Sequence, residues 1–190
     1  MPRRRYLFDP PERFVAGTIG EPGHRAFFLQ ARDGQRVVSV LLEKVQVAVL
    51  ADRLGELLAE LERRGVPEVL ATAADPTPGV GDTGPLDEPI NEAFRAGSLT
   101  LGWDGGASRI LVEARAQDEN GEAIDPDDDD DEDDDGPDLL RVRISAADAR
   151  AFVSRATRVV AGGRPPCPLC GQPLDPQGHI CPRKNGHYVN

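Results

Sequence analysis

The residues best suited to chemistry crowd one end of the chain. Cys167, Cys170 and Cys181 are its only cysteines, and His179 and His187 are two of its three histidines. Cys167-Pro-Leu-Cys170 places two thiolates on one turn, and Gly178-His-Ile-Cys-Pro182 adds an imidazole and a third thiolate. Three sulfurs and one nitrogen suit a tetrahedral zinc ion. Cys167, Cys170, His179 and Cys181 form the expected ligand set, and His187 competes with His179 for the fourth place. Pro168 and Gly171 resemble the turn of a zinc knuckle, in which backbone N–H groups face the sulfurs. Two other readings stand beside it: an unmetallated tail, and a redox-active C-x-x-C. The redox motif belongs at a strand-to-helix junction and needs no Gly-His-x-Cys next to it. So many donors in so short a stretch favour a closed, structural site over a catalytic one with an open position.

Other candidate sites are weaker. Gly79, Gly81 and Gly84 spell G-x-G-x-x-G, but a dinucleotide loop must leave a strand and open a helix, and here prolines flank it, with Pro85 directly after Gly84. A flexible connector is the better reading. His24 follows a Pro22-Gly23 turn with no nucleophile nearby. Glu43 and Lys44 sit where a strand gives way to a helix, and Trp103 stands at a strand end where it packs against the sheet. Glu12, Glu88 and Glu113 cannot be paired into a general acid and base. Arg3, Arg4 and Arg5 read as solvated terminal charges.

The elements that must carry these residues follow from apolar periodicity. Phe14 to Ile19, Ala26 to Arg32 and Arg36 to Leu42 read as three strands, the last two joined through Asp33-Gly34. Val47, Leu50, Leu54, Leu57, Leu58 and Leu61 then recur at steps of three and four, one face of a helix ending near Gly65. The second half follows the same order. Phe14-Val-Ala-Gly-Thr-Ile19 matches Phe94-Arg-Ala-Gly-Ser-Leu99, and Phe28-Leu-Gln-Ala-Arg32 matches Leu111-Val-Glu-Ala-Arg115. Val40-Leu-Leu42 matches Val142-Arg-Ile144, after which Gln46, Leu50 and Arg53 fall opposite Asp148, Phe152 and Arg155. A second helix carries Ala149, Phe152, Val153, Ala156, Val159 and Val160 on one face, opened by a capping pair, Ser145 and Asp148.

The expected fold is therefore α+β: tandem β-β-β-α repeats whose antiparallel sheet or sheets are covered by two helices, with a small C-terminal zinc knuckle. Residues 1–163 form the duplicated domain, with repeat one at about 12–65, a connector at 66–91 and repeat two at about 92–162. Residues 164–190 form the knuckle. Where repeat one has a short turn, repeat two has an insertion at 117–137 containing nine consecutive acids, Asp127 to Asp135. Self-repulsion and a lack of apolar residues make it an expected disordered, solvated loop.

The formal charge is −11, and without those nine acids it is −2. A nearly balanced folded part does not attract nucleic acid or anionic membranes. No apolar run approaches the length of a membrane span, and no apolar stretch follows the N-terminal arginines. Three cysteines in one motif fit a reducing cytoplasm better than a disulfide framework.

Three stretches together carry a family resemblance: Arg5-Tyr-Leu-Phe-Asp-Pro-Pro-Glu-Arg-Phe-Val-Ala-Gly-Thr18, Leu41-Leu-Glu-Lys-Val-Gln-Val47, and the motif from Cys167 to Gly186. The chain resembles an actinobacterial family catalogued as a repeat protein and as domain of unknown function 3090. The resemblance implies the repeat organisation and an actinobacterial, cytoplasmic origin, and brings no activity with it. The leading expectation is a non-enzymatic, zinc-containing interaction or adaptor protein with a protein partner. One rival is an enzyme with its active site between the repeats. A second is nucleic-acid binding through the knuckle, where Arg164, Arg183 and Lys184 outweigh Asp175 from residue 161 onward.

Overall fold

The computed structural model describes residues 3–73, 82–118, 120–123, 136–163, 167–170 and 181. Seven strands form one mixed sheet, accompanied by three helices. In chain order these are β1 (Arg5–Phe8), β2 (Arg13–Ile19), β3 (Ala26–Asp33), β4 (Arg36–Leu42), α1 (Lys44–Arg63), α2 (Pro67–Ala73), β5 (Glu92–Asp104), β6 (Arg109–Ala116), β7 (Leu139–Ile144) and α3 (Ala146–Ala161). The order across the sheet is β1-β7-β6-β5-β4-β3-β2.

The strands β2, β3 and β4 pair antiparallel, as do β5, β6 and β7. Two parallel seams complete the sheet, correcting the expectation of a wholly antiparallel one. The first residues of β5 run parallel to β4, with Val40 beside Phe94, and β1 runs parallel to β7, with Tyr6 beside Leu140. The long β5 serves both sides: it leaves β4 at Arg95 and pairs with β6 from Ala96, with a register shift between Ala96 and Ser98. Such a shift bends the strand and increases its twist.

The two edges of the sheet are close together. Only residues 9–12 separate β1, at one edge, from β2, at the other. Such a link spans at most about 18 Å, whereas a flat sheet of seven strands would set its edges about 29 Å apart. The sheet therefore curls. It curls toward the helices, because α3 packs on both β2 and β6.

Period-two alternation supplies the core. Phe14 and Ala16 of β2, Phe27, Leu29 and Ala31 of β3, Val38, Val40 and Leu42 of β4, and the matching residues of β6 and β7 point to one side. There they meet Val47, Leu50, Leu54, Leu58 and Leu61 of α1, and Ala149, Phe152 and Ala156 of α3. A smaller cluster on the outer face joins Val15 and Phe28 to Leu86. Leu86 closes down on Gly17, where a Cβ would lie 2.5 Å from Leu86 Cδ2.

Both long helices start on reciprocal hydrogen bonds. The backbone N–H of Glu43 donates to Gln46 Oε1 at 2.8 Å. At α3, Ser145 Oγ accepts from the Asp148 N–H at 3.1 Å, and the Ser145 N–H donates to Asp148 Oδ2 at 3.3 Å. Losing this cap should lower stability by about 1 kcal/mol, so urea unfolding of Ser145→Ala should show a lower midpoint with an unchanged slope.

The structure departs from the sequence reading in several further places. Among the described residues there are three helices instead of two, because the connector 66–91 contains α2, whose Val69 is fully buried. The rest of that connector is anchored from Asp82 onward, while Gly79 and Gly81 lie outside the described residues. Strand β1 occupies the stretch read as a charged terminus. Arg3 is buried, and Arg4 is held by Asp138, whose Oδ1 accepts from the Arg4 N–H at 2.8 Å. Asp127 to Asp135 lie outside the described residues. No described helix is long and apolar enough to cross a membrane.

Candidate metal centre

The structure brings Cys167, Cys170 and Cys181 together, their sulfurs all within 4.8 Å of one another. Pro168 and Leu169 complete the turn that holds the first two thiols. It folds so that the Leu169 N–H points at Cys167 Sγ, 3.4 Å away. N–H donation from Cys170 and Leu169 favours the thiolate and holds the Cys167 thiol below its ordinary range. Cys167 and Cys181 are buried, and Cys170 is half-buried.

The sulfur spacing discriminates between chemistries. Cys167 Sγ lies 3.9 Å from Cys181 Sγ, too far for a disulfide, whose sulfurs are about 2.05 Å apart. Two sulfurs on one tetrahedral zinc, each at about 2.3 Å, stand about 3.8 Å apart. The three thiols thus fit a metal ion. His179 and His187, the two contenders for a fourth ligand, lie outside the described residues.

Sequence reasoning missed a second polar cluster, because its members are far apart in the chain. Between β2 and α3, a cleft of about 140 Å³ is lined by Arg13, Phe14, Asp82, Asp148, Phe152 and Arg155, among others. Arg155 is buried: its Nε donates to the Ala16 carbonyl at 2.6 Å and its Nη2 to the Gly84 carbonyl at 2.8 Å. Its Nη1 donates to Asp82 Oδ1 at 3.0 Å. Arg13 donates to both oxygens of Asp82, to Asp87 Oδ2 at 2.5 Å and to the Pro85 carbonyl at 2.8 Å. Gln30 grips the next residue of the same segment, accepting from the Asp87 N–H at 2.7 Å and donating to the Asp87 carbonyl at 3.0 Å.

These arginines clamp residues 82–87 against the sheet. Apart from the Arg155 Nε bond to Ala16 of β2, these guanidinium hydrogen bonds go to carbonyls and carboxylates of that segment. Asp82 is held below the usual carboxylate range, chiefly by the Arg13 hydrogen bonds. It is therefore an ionised ion-pair partner at neutral pH. Because its folded value is depressed, it stabilises the fold fully above the ordinary aspartate value of about 3.9. That contribution is lost as pH falls through the lower folded value. Asp82→Asn should accordingly flatten the acid limb of a melting-temperature profile while leaving the shape above pH ~5 unchanged.

A family model described as "Protein of unknown function (DUF3090)" matches residues 6–181. No curated protein and no solved structure matches the chain. The matched region takes in every described strand and helix except the first residue of β1, together with all three thiols of the metal centre, and the chain belongs to this DUF3090 family.

Proposed function

We propose that the protein is a non-enzymatic interaction module of the cytoplasm, in which a duplicated β-β-β-α scaffold is finished by a structural zinc knuckle. Cys167, Cys170, Cys181 and His179 are the ligands in this reading. The observation that carries it is the 3.9 Å sulfur separation within a cluster of three thiols. Tetrahedral thiolate sites select zinc or iron, and a lone four-coordinate site with one imidazole suits zinc. His179 is favoured over His187 because it lies within the matched family region, which stops at residue 181.

An interaction role is supported by the surface of α1. Val45 and Val49 are 66% and 49% exposed. Beside them a groove of about 310 Å³ runs between α1 and β5, lined by Val49, Leu50, Arg53, Leu57, Leu99 and Leu101. The duplication is supported by the element order, in which three antiparallel strands and a long helix occur twice.

Metal analysis of chain purified without chelator tests the reading. One zinc per chain is expected. Cys167→Ser and Cys170→Ser should each abolish stoichiometric binding, His179→Ala should nearly do so, and His187→Ala should have a mild effect. Zinc should leave as pH falls, since protons compete for the thiolates. Less than about a tenth of an equivalent in the unmodified protein would remove the structural-zinc reading. Stoichiometric iron in place of zinc would replace it with an iron–thiolate centre.

A further inference from the structure

A cleft between the β2–β3 connection, the start of α1 and the end of α3 shares no residue with the metal centre or with the α1–β5 groove. It measures about 470 Å³ and is lined by Arg25, Phe27, Lys44, Val160 and Gly163, among others. Two of these are cations, and none of the described lining residues is an acid. Phe27 and Val160 give it an apolar wall.

The two cations converge on one point. A Cβ built on Gly163 would lie 3.6 Å from Arg25 Nη2 and 3.6 Å from Lys44 Nζ. The nitrogens therefore stand no more than about 7 Å apart, a gap that one phosphate or carboxylate bridges with charge-assisted hydrogen bonds of about 2.8 Å at each end. Neither side chain has an ion-pair or hydrogen-bond partner among the described residues; Arg25 lies over the Phe27 ring, 5.6 Å from its centroid. Glu43, the acid next to Lys44, is engaged by Arg95 Nη1 at 3.0 Å.

Helix ends do not explain the pair. A cation is favoured at the C-terminus of α3, but Lys44 is also the first residue of α1, where a cation is disfavoured. These opposite effects roughly offset each other, so the two side-chain charges are left without a counterion. That happens in a chain with 33 acids and 22 basic residues.

We propose that this cleft binds a small organic phosphate monoester, its phosphate held between Arg25 and Lys44 and its apolar part along Val160 and Phe27. A phosphate monoester is mostly a dianion at neutral pH and so matches two cations. The guanidinium fork takes two of its oxygens and the ammonium takes a third. The chain's overall negative charge repels polyanions at long range, while a small ligand inside the cleft feels mainly the two nearby cations. The site does not depend on the metal reading.

Phenyl phosphate is the probe, titrated into the full chain at neutral pH and followed by calorimetry. Saturable one-to-one binding is expected, with Kd below about 1 mM. Arg25→Gln and Lys44→Gln should each weaken it at least about tenfold, the loss of one charge-assisted contact. Lys44 is exposed, so its variant should keep the native urea midpoint, and lost binding there is not lost folding. Gly163→Val changes no charge but fills the point where the cations meet, and it should weaken binding by as much. Benzoate, with the same ring and a single charge, should bind at least about tenfold less tightly than phenyl phosphate. No saturation up to about 10 mM phenyl phosphate overturns the proposal. So does binding that survives both Lys44→Gln and Gly163→Val, which would place the phosphate elsewhere, and so does equal affinity for benzoate. Capture by phosphatidic acid vesicles, lost with Arg25→Gln and accompanied by no phenyl phosphate binding, would assign the cleft to a lipid headgroup and overturn the small-molecule ligand.

Discussion

Phe152→Ala should destabilise the protein by about 3–5 kcal/mol, read as a lower urea midpoint with native-like far-ultraviolet circular dichroism below the transition. Phe152 is 1% exposed, and its ring stacks on Phe14 with centroids 4.9 Å apart and planes 18° from parallel. Removing it empties a large volume and strips the Phe14 ring of its partner. The position also joins α3, near the end of the chain, to β2, near its beginning, so neighbouring backbone cannot move to fill the void without disturbing the curled sheet. Phe152→Leu, which keeps most of the volume, should cost less than half as much. Equal effects for the two substitutions would mean that the ring is not packed as described.

Arg155→Ala should also be damaging, at about 1–3 kcal/mol, because it takes the donor from the Ala16 carbonyl and weakens the hold on Gly84 and Asp82. The Ala16 carbonyl loses its Arg155 donor, the Gly84 carbonyl keeps only the longer 3.4 Å bond from Arg13 Nη2, and Asp82 keeps Arg13 and the Gly84 N–H. Arg155→Lys should recover little, since an ammonium cannot reach three differently directed acceptors as a planar guanidinium does. A readout local to residues 82–87 separates this from general destabilisation. Amide exchange there should quicken under conditions in which β3 and β4 stay protected. Unchanged protection at 82–87 would show that Arg155 does not hold the segment.

What could be read in advance divides along chain distance. The strand Arg36–Leu42 was legible to the residue, because Asp33-Gly34 marks the hairpin and alternation does the rest. The α1 face was legible through its leucines, although Leu57 is only partly buried and borders the groove with Leu99 and Leu101. The pairing of Cys167 with Cys170 was legible because C-x2-C carries its geometry within a single turn, and Cys181 follows close enough in the chain to join them. The Arg155–Asp82 contact, by contrast, spans 73 residues, and no local pattern announces it. Strand β1 was hidden for the same reason. Arg-Tyr-Leu-Phe is too short to declare itself, and its partner β7 begins more than a hundred residues later. The hold on residues 82–87 was hidden because prolines and glycines carry no local sign of the distant arginines that grip them. Asp82, Leu86 and Asp87 are the residues that anchor this stretch.

The seam between β1 and β7 also bears on how the chain matures during translation. Strands β2, β3 and β4 can zip together soon after they are made, since each follows its neighbour directly. Tyr6 and Phe8 must wait until residues 140 and 142 have been made. Closing so long a loop is slow, and the curled sheet is completed only near the end of synthesis. Until then β1 has no strand beside it, and the far side of β4 is an open edge awaiting β5. A nascent chain stalled as β5 is being made would therefore present the unpaired edge of β4 and the apolar faces of Leu54 and Leu58 together, the combination that invites premature association between chains on the same message.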